Sequence, residues 1–295
     1  MKSSYISAFA LAIVSVSAQG SGGQGSKTTG GTGPYTAYYF EDATLPNHTI
    51  YQPKDPSKVG TKLPVIAWAN GACSQDGISF ASFLAQVASH GALAIAVGTI
   101  KGIPNTGAPP GSGTGGMSIW PERQRAAIDW AVKNAGKGNY THVDGTRIAV
   151  WGQSCGGVES YANWNDSRVN SVGIFHSGLM SEAETKSTAG KINKPIFYFL
   201  GGPNDIAYKN GERDYAALPA GTPAWIGNDA LGHGGAFNQL VDAGYFGIAG
   251  TRYMQWVLRG NETAGEWFKD GSAIKAGFKD EKKKSLENIK VTPIQ

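Results

Sequence analysis

The sequence predicts an α/β fold: one domain built on a mainly parallel, twisted sheet with helices on both faces. The chain has 295 residues, of which 41% are hydrophobic and 16% charged, so it can bury one substantial core. Short apolar runs that suit strands alternate with segments of helical spacing between residues 35 and 258. This alternation is typical of parallel sheets whose strands are joined by helices. No internal repeat requires a second domain.

The individual elements follow from the periodicity of the apolar residues. Strands are predicted over residues 35–40, 48–52, 63–69, 93–97, 147–151, 171–175, 196–200 and 224–226. Helices are predicted over residues 80–89, 121–134, 158–163 and 248–258. Residues 101–116 are rich in Gly and Pro and predict a loop. We expect the folded domain to cover residues 33–278.

The N-terminus has the layout of a secretory signal. Lys2 precedes an apolar run over residues 5–16, and small residues follow as far as Ala18. We therefore predict that residues 1–18 are a cleaved signal peptide and that the protein is secreted; an N-terminal anchor helix is the alternative. The run is too short to span a bilayer. Residues 19–32 are almost entirely Gly, Ser, Thr, Gln and Lys, which predicts a flexible lead-in.

Export gives meaning to the Asn-X-Ser/Thr triplets, which are acceptors for N-glycosylation. Four triplets begin at Asn47, Asn139, Asn165 and Asn261. In a eukaryotic producer we expect glycans at some of these positions, and hence surface loops there.

The charge pattern argues against several kinds of partner. The net charge is +4, and a lysine cluster over residues 279–284 supplies much of it. Because no aromatic residues interleave with a basic face, we expect no nucleic-acid partner, and residues 279–295 are predicted to be a solvated basic tail. No cluster of ligand residues has metal-binding spacing, so neither a metal nor an organic cofactor is expected. We expect a monomer without a membrane partner.

The segment Gly152-Gln153-Ser154-Cys155-Gly156 stands between a predicted strand and a predicted helix. A G-x-S-x-G pattern in that position is typical of a nucleophile elbow, a tight turn that leaves the serine hydroxyl exposed above the sheet. The pattern predicts Ser154 as a nucleophile. An ordinary glycine-rich turn is the alternative.

A serine hydroxyl needs a base, and in folds with this elbow the chain order is serine, acid, histidine. Three of the five histidines precede Ser154. His176 follows too closely to leave room for an acid-bearing strand; it either lines the substrate pocket or is a hydrogen-bonded residue at a strand end. His233 lies in a Gly-rich loop after the last predicted parallel strand. We therefore predict His233 as the base.

The acid that orients the histidine should follow the strand before that loop. Asp205 is the first acid after the strand predicted at residues 196–200. Asp214 lies further along, and Asp229 lies at the exit of the next strand. Chain order favours Asp205 over both.

The oxyanion hole requires two backbone N–H groups, one from the residue after the nucleophile and one from the loop after an earlier strand. These criteria indicate Cys155 and Ala72, with Cys73 as an alternative to Ala72. Cys73 and Cys155 are the only cysteines, and in an exported protein a disulfide is expected. We hypothesise that this bond holds the two donors in register; two unpaired buried cysteines are the alternative.

With these motifs the chain resembles the α/β-hydrolase superfamily, in particular the group of bacterial cutinases and polyester (PET) hydrolases, with dienelactone-hydrolase-like esterases nearby. The matching segments are the elbow with its double glycine, residues 33–35, 88–91, 143–150 and 204–207, and the Gly-His pair at His233. The resemblance implies the same triad, Ser154, His233 and Asp205, and the same oxyanion donors, Ala72 and Cys155.

The differences from that group concern the substrate pocket. Gln153 stands where the polyesterases usually have His or Trp, Ala72 replaces their aromatic oxyanion residue, and residues 177–179 lack a pocket tryptophan. These changes remove aromatic surface that grips a polyester chain. We assign Gln153 and His176 to substrate binding. The expected activity is hydrolysis of carboxylic esters, either small esters or polyesters; acyl transfer and a non-catalytic binding role are the alternatives.

Overall fold

The computed structural model describes residues 28–103, 113–114, 117–235, 237 and 240–295. The predicted signal peptide, residues 1–18, lies outside the described residues. So do residues 19–27 of the predicted lead-in and most of the loop predicted at residues 101–116.

The core of the fold is a mostly parallel sheet that has nine strands in the described part of the chain. In chain order the strands are β1 (Ala37–Phe40), β2 (His48–Pro53), β3 (Leu63–Ala69), β4 (Leu93–Val97), β5 (Val143–Gln153), β6 (Val169–Phe175), β7 (Ile196–Leu200), β8 (Ala224–Asn228) and β9 (Lys279–Lys284). Their spatial order is β1-β2-β4-β3-β5-β6-β7-β8-β9. The strands from β4 to β8 run parallel, and antiparallel pairs close both ends. The predicted mainly parallel α/β class is confirmed.

The helices connect the strands and cover the sheet. They are α1 (Ala81–Ala88), α2 (Pro121–Asn134), α3 (Cys155–Asn163), α4 (Glu182–Ser187), α5 (Tyr208–Ala217), α6 (Gly244–Tyr253), which continues into a π-helical turn at Met254–Leu258, α7 (Glu262–Glu266) and α8 (Ser272–Ala276). No helix among the described residues has both the length and the apolar character needed to cross a membrane.

Alternate residues of the central strands face two separate cores. Ile66 and Trp68 on β3 belong to a buried cluster with residues of α1 and α6. Val65 and Ala67, which alternate with them along β3, belong to a second buried cluster with residues of α2. Because both faces are covered, β3 is buried along its whole length, which explains its unbroken apolar run.

The C-terminal segment differs from its prediction. The sequence predicts a solvated tail over residues 279–295, but Lys279–Lys284 pairs antiparallel with β8 as the last strand of the sheet. Trp225 Nε1 donates a hydrogen bond to Glu281 Oε1 at 3.0 Å, which ties the strand to the core. Leu286, Ile289 and Ile294 beyond it are buried. The tail prediction is therefore wrong, and lysines on an exposed edge strand are a common protection against unwanted pairing.

The end of the predicted lead-in also differs from expectation. Thr29 donates to both carboxylate oxygens of Asp242, at 3.2 and 2.9 Å. The Thr32 N–H donates to Gln86 Oε1 at 2.7 Å. Residues 28–32 are thus anchored to the folded domain by polar contacts that an apolar pattern does not indicate.

Candidate active site

Ser154 stands on a tight turn between the end of β5 and the start of α3. Its φ of +53° and ψ of −118° lie in a region that non-glycine residues rarely adopt. A Cβ on Gly152 would lie 2.1 Å from the Gly156 carbonyl oxygen, and one on Gly156 would lie 2.0 Å from the Ala69 oxygen. The turn therefore requires glycine at both positions, as in a nucleophile elbow.

His233 links Ser154 to Asp205 through hydrogen bonds on both ring nitrogens. Its Nε2 lies 2.9 Å from Ser154 Oγ, and its Nδ1 lies 2.6 Å from Asp205 Oδ1. An ionised carboxylate can only accept, so Nδ1 carries the proton and Nε2 accepts the serine O–H. This arrangement is the one in which a histidine can take the proton of a serine nucleophile.

The environment of Asp205 favours its ionised form. Burial raises the pKa of Asp205, but the hydrogen bond from His233 and the N–H groups of Ala207 and Gly201, at 2.8 and 3.0 Å, leave that pKa below its ordinary value. The carboxylate is therefore charged at neutral pH. It can hold the imidazole in one tautomer and offset the positive charge that develops on the ring.

The two competing acids have other partners. Asp214 is fully buried and accepts hydrogen bonds from the Tyr161 hydroxyl at 2.9 Å and the Leu179 N–H at 2.6 Å. Asp229 accepts the Leu231 N–H at 3.0 Å, and burial raises the pKa of Asp229 to about 6. Of these three acids, Asp205 is the one in contact with His233.

The predicted oxyanion donors lie on two neighbouring turns. Cys155 is the first residue of α3, and Ala72 lies in a 3₁₀ turn, Gly71–Cys73, that follows β3. The first N–H groups of a helix have no partner within the helix, so the N–H of Cys155 is available to an external acceptor. Ala72 and Cys73 have φ values of +55° and +50°, in the left-handed region that non-glycine residues rarely adopt.

A disulfide joins these two turns. Cys73 and Cys155 are bonded, with their Cα atoms 5.3 Å apart, so the predicted pairing is confirmed and the alternative of unpaired cysteines is excluded. Cys155 is the residue directly after Ser154. The bond thus fixes the loop after β3 to the start of the elbow helix.

Gln153 makes a second contact between the elbow and the same loop. Its side chain is buried, and a Cβ on Gly71 would lie only 1.8 Å from Gln153 Oε1. Both neighbours of Ser154 therefore contact the turn at residues 71–73. Gln153, which the sequence analysis assigns to substrate binding, packs in the structure against the loop after β3.

Asn70, which the sequence pattern does not single out, holds the loop that carries Ala72. Its side-chain amide donates to the carbonyl oxygens of Val97 at 2.7 Å and Ser74 at 3.0 Å, and its Oδ1 accepts the Trp68 Nε1–H at 3.0 Å. These bonds fix the start of the loop that carries Ala72. An Asn-Gly pair directly after a buried strand was the available signal.

Glu159 is a second residue near the site that the sequence pattern does not single out. It is a buried acid on α3, about one helical turn beyond the elbow. Its Oε1 accepts the Trp120 N–H at 2.7 Å, and burial raises the pKa of Glu159 to about 7. Its carboxylate and the sulfurs of Cys73 and Cys155 lie within 4.8 Å of one another. The sulfurs are bonded to each other and are not thiolates, so this set is not suited to hold a metal.

His176 does not lie on an open pocket wall. Its side chain has no exposed area, and its Nδ1 accepts the Gly234 N–H at 2.6 Å. Burial lowers the pKa of His176 to about 3, so the ring is neutral. The structure therefore agrees with the interpretation of His176 as a hydrogen-bonded residue at a strand end. It disagrees with the assignment of His176 to substrate binding.

The four sequon asparagines, Asn47, Asn139, Asn165 and Asn261, are all exposed. Asn261 also caps α7, because its side chain accepts the Ala264 N–H. Their exposure is compatible with glycosylation.

No protein-family model matches the chain, and a search of curated proteins gives no significant match.

Proposed function

We propose that the protein is a secreted serine hydrolase of the α/β-hydrolase fold that cleaves carboxylic esters. The observation that carries this proposal is the hydrogen-bonded chain from Ser154 Oγ through His233 to Asp205, which begins on an elbow. Serine, acid and histidine follow in the chain order of that fold. They stand at the carboxyl ends of β5, β7 and β8, where ligands of such sheets bind.

The proposed reaction proceeds through an acyl-enzyme. Ser154 Oγ attacks the ester carbonyl carbon while His233 Nε2 takes its proton, and the N–H groups of Cys155 and Ala72 stabilise the negative charge on the carbonyl oxygen. Collapse of this intermediate breaks the bond to the alcohol, which leaves with the proton from His233. Water then attacks the acyl-enzyme with His233 again as base, releasing the acid and free Ser154.

The rim of the site favours uncharged, apolar esters. Ile206, directly after Asp205, is 82% exposed. Leu231 and Met180 are also large exposed hydrophobic residues, and they stand on the loops that follow β8 and β6. Apolar surface around a catalytic site suits an acyl chain or a polyester segment better than a charged substrate. Small apolar esters and polyesters are therefore the proposed substrates.

The disulfide supports the proposed secretion, because such bonds persist in oxidising compartments outside the cytosol. This agrees with the signal-like residues 1–18. Hydrolysis requires water at the acyl-enzyme, whereas an acyltransferase must exclude it. No described residue favours an acyl acceptor over water.

The proposal is tested with a fluorophosphonate probe and p-nitrophenyl esters of increasing chain length. We expect covalent labelling and ester hydrolysis by the wild type, with both lost in Ser154→Ala. Ser187→Ala, which alters an exposed serine on α4, is the matched control and should retain both. A wild-type protein that is neither labelled nor active would contradict the proposal. Transfer of the acyl group to added alcohols in preference to water would instead favour an acyltransferase.

A further inference from the structure

His176 lies directly beneath the loop that carries His233. Its Nδ1 accepts the N–H of Gly234, the residue after the base, at 2.6 Å. The centres of the two imidazole rings are 6.0 Å apart. The one described polar contact of the His176 ring is therefore made to the chain segment that sets the position of His233.

The direction of this hydrogen bond fixes the state of the ring. A backbone N–H only donates, so His176 Nδ1 carries no proton and the neutral ring has its hydrogen on Nε2. Protonation would make both nitrogens donors and remove the bond. The rings of Phe237 and Phe246, with centres 5.6 and 4.7 Å away, give the imidazole apolar surroundings that favour the neutral form.

The backbone of His176 is tied to the sheet, whereas the loop that carries His233 contains glycines on both sides of that residue. The His176 N–H donates to the Phe199 carbonyl of β7 at 2.8 Å, which holds the backbone at the end of β6. In the loop, Gly232 and Gly234 flank His233 with φ values of +80° and +92°. Glycines leave a segment with many accessible conformations, so an external anchor next to His233 restricts it.

We infer that His176 is a positioning residue, which holds His233 between Ser154 and Asp205 by accepting the Gly234 N–H. This role rests on the proposed function, since it serves the proton transfer from Ser154. It differs from substrate binding because the ring acts through the loop and touches no substrate.

Two substitutions separate the effect of the hydrogen-bond acceptor on His176 from the effect of its ring volume. His176→Phe keeps an aromatic ring but has no acceptor, whereas His176→Asn supplies an amide oxygen near the place of Nδ1. We expect kcat to fall about 100-fold in His176→Phe with KM little changed, because a displaced base misses the reacting geometry. His176→Asn should recover most of the loss. His142→Phe, at a histidine bonded to Gln52 and outside the site, is the matched control.

A spectroscopic measurement tests the same inference without relying on turnover. The proton between His233 Nδ1 and Asp205 Oδ1, which are 2.6 Å apart, should give a far-downfield proton resonance. We expect this resonance, and the slow amide exchange of Gly234, in the wild type and His176→Asn, but not in His176→Phe. Melting temperatures of all variants show whether each is folded.

The outcomes distinguish this inference from the proposed function. Unchanged kcat and resonance in a folded His176→Phe would overturn the positioning role, and so would a rise in KM at constant kcat. Equal losses in the Phe and Asn variants would also overturn it. If the resonance and the exchange respond as expected but no ester is cleaved, the positioning of His233 holds and the proposed function fails.

Discussion

Cys155, the residue that follows Ser154, is covalently bonded to Cys73 in the loop after β3. In the proposed mechanism each cysteine adjoins or supplies an oxyanion donor, so one bond sets the separation of the two N–H groups. It also closes a loop of 82 residues. The disulfide thus connects the stability of the fold with the geometry of the site.

Removal of the disulfide should lower both stability and activity. For the double variant Cys73→Ser/Cys155→Ser we expect the free energy of unfolding to fall by about 4 kcal/mol, from the entropy that the unfolded chain regains. The kcat should fall as well, because the donors lose their register. Urea denaturation and ester kinetics under conditions where the variant is folded measure the two effects. A kcat equal to that of the wild type would show that the bond serves stability alone.

Asp205 should matter to catalysis far more than the other buried acids. We expect Asp205→Asn to lower kcat by about 10⁴-fold, because an amide no longer selects the tautomer with the proton on Nδ1. Asp214→Asn is the matched control: it removes a buried charge bonded to Tyr161 and should leave the kcat of the folded protein near that of the wild type. Equal losses in both variants would contradict the assignment.

Glu159 should make the free energy of unfolding fall as the pH rises from about 4.5 to about 7. Its pKa is raised by burial from 4.5 to about 7, so the folded state binds more protons than the unfolded state between these values. Its contribution to the free energy of unfolding is fully present below pH 4.5 and is lost as pH rises through about 7, a change of about 3 kcal/mol.

The variant Glu159→Gln keeps an acceptor for the Trp120 N–H but does not titrate. We expect the difference in unfolding free energy between variant and wild type to grow in favour of the variant from pH 4.5 to pH 8. Urea denaturation at several pH values measures it. A difference that is constant with pH would contradict the raised pKa.

Ile206 should affect the hydrolysis of esters with long apolar acyl chains more than that of short-chain esters. Replacement of this exposed side chain by serine removes a contact worth about 1.4 kcal/mol, so kcat/KM for octanoate esters should fall roughly tenfold. Hydrolysis of acetate esters should change little. Val132→Ser, at a similarly apolar exposed residue on α2, is the control and should alter neither. Equal effects of Ile206→Ser on both chain lengths would argue against the apolar rim.

The C-terminal segment should be necessary for folding. A chain that ends at residue 278 lacks β9 and the buried side chains of Leu286, Ile289 and Ile294. Each buried side chain of this size contributes about 1.5–3 kcal/mol, so we expect the truncated protein to be unfolded or strongly destabilised. Lys290→Glu changes charge at an exposed position and should shift stability by less than about 0.5 kcal/mol. A truncated protein with wild-type thermal unfolding would contradict the role of β9.

The sequence predicted the central strands better than the ends of the fold. The bounds of β3, β4 and β7 agree with the prediction because unbroken apolar runs between Pro, Gly and Asn identify buried strands. β9 has no such pattern. It is held by pairing with β8 and by Trp225, contacts between segments far apart in the chain that local propensity does not contain.

At the candidate site, chain order identified three side chains that do lie together. The disulfide, which the expectation of export predicts, is present. The orientation of Gln153 and His176 was not predictable in the same way. The sequence assigns both to the substrate pocket, but Gln153 is buried against the loop at Gly71 and His176 against the loop at Gly234. Which way a side chain turns at a strand end depends on packing around positive-φ residues, which a single sequence does not specify.

The bond between Cys73 and Cys155 also has a consequence for the producing cell. Thiols are kept reduced in the cytosol and are oxidised after export. If the protein is the secreted esterase proposed above, a newly made chain leaves the ribosome with its proposed oxyanion donors unlinked and matures fully only outside the compartment that synthesised it. Under that proposal, the timing of a single oxidation would spare the cell's own esters.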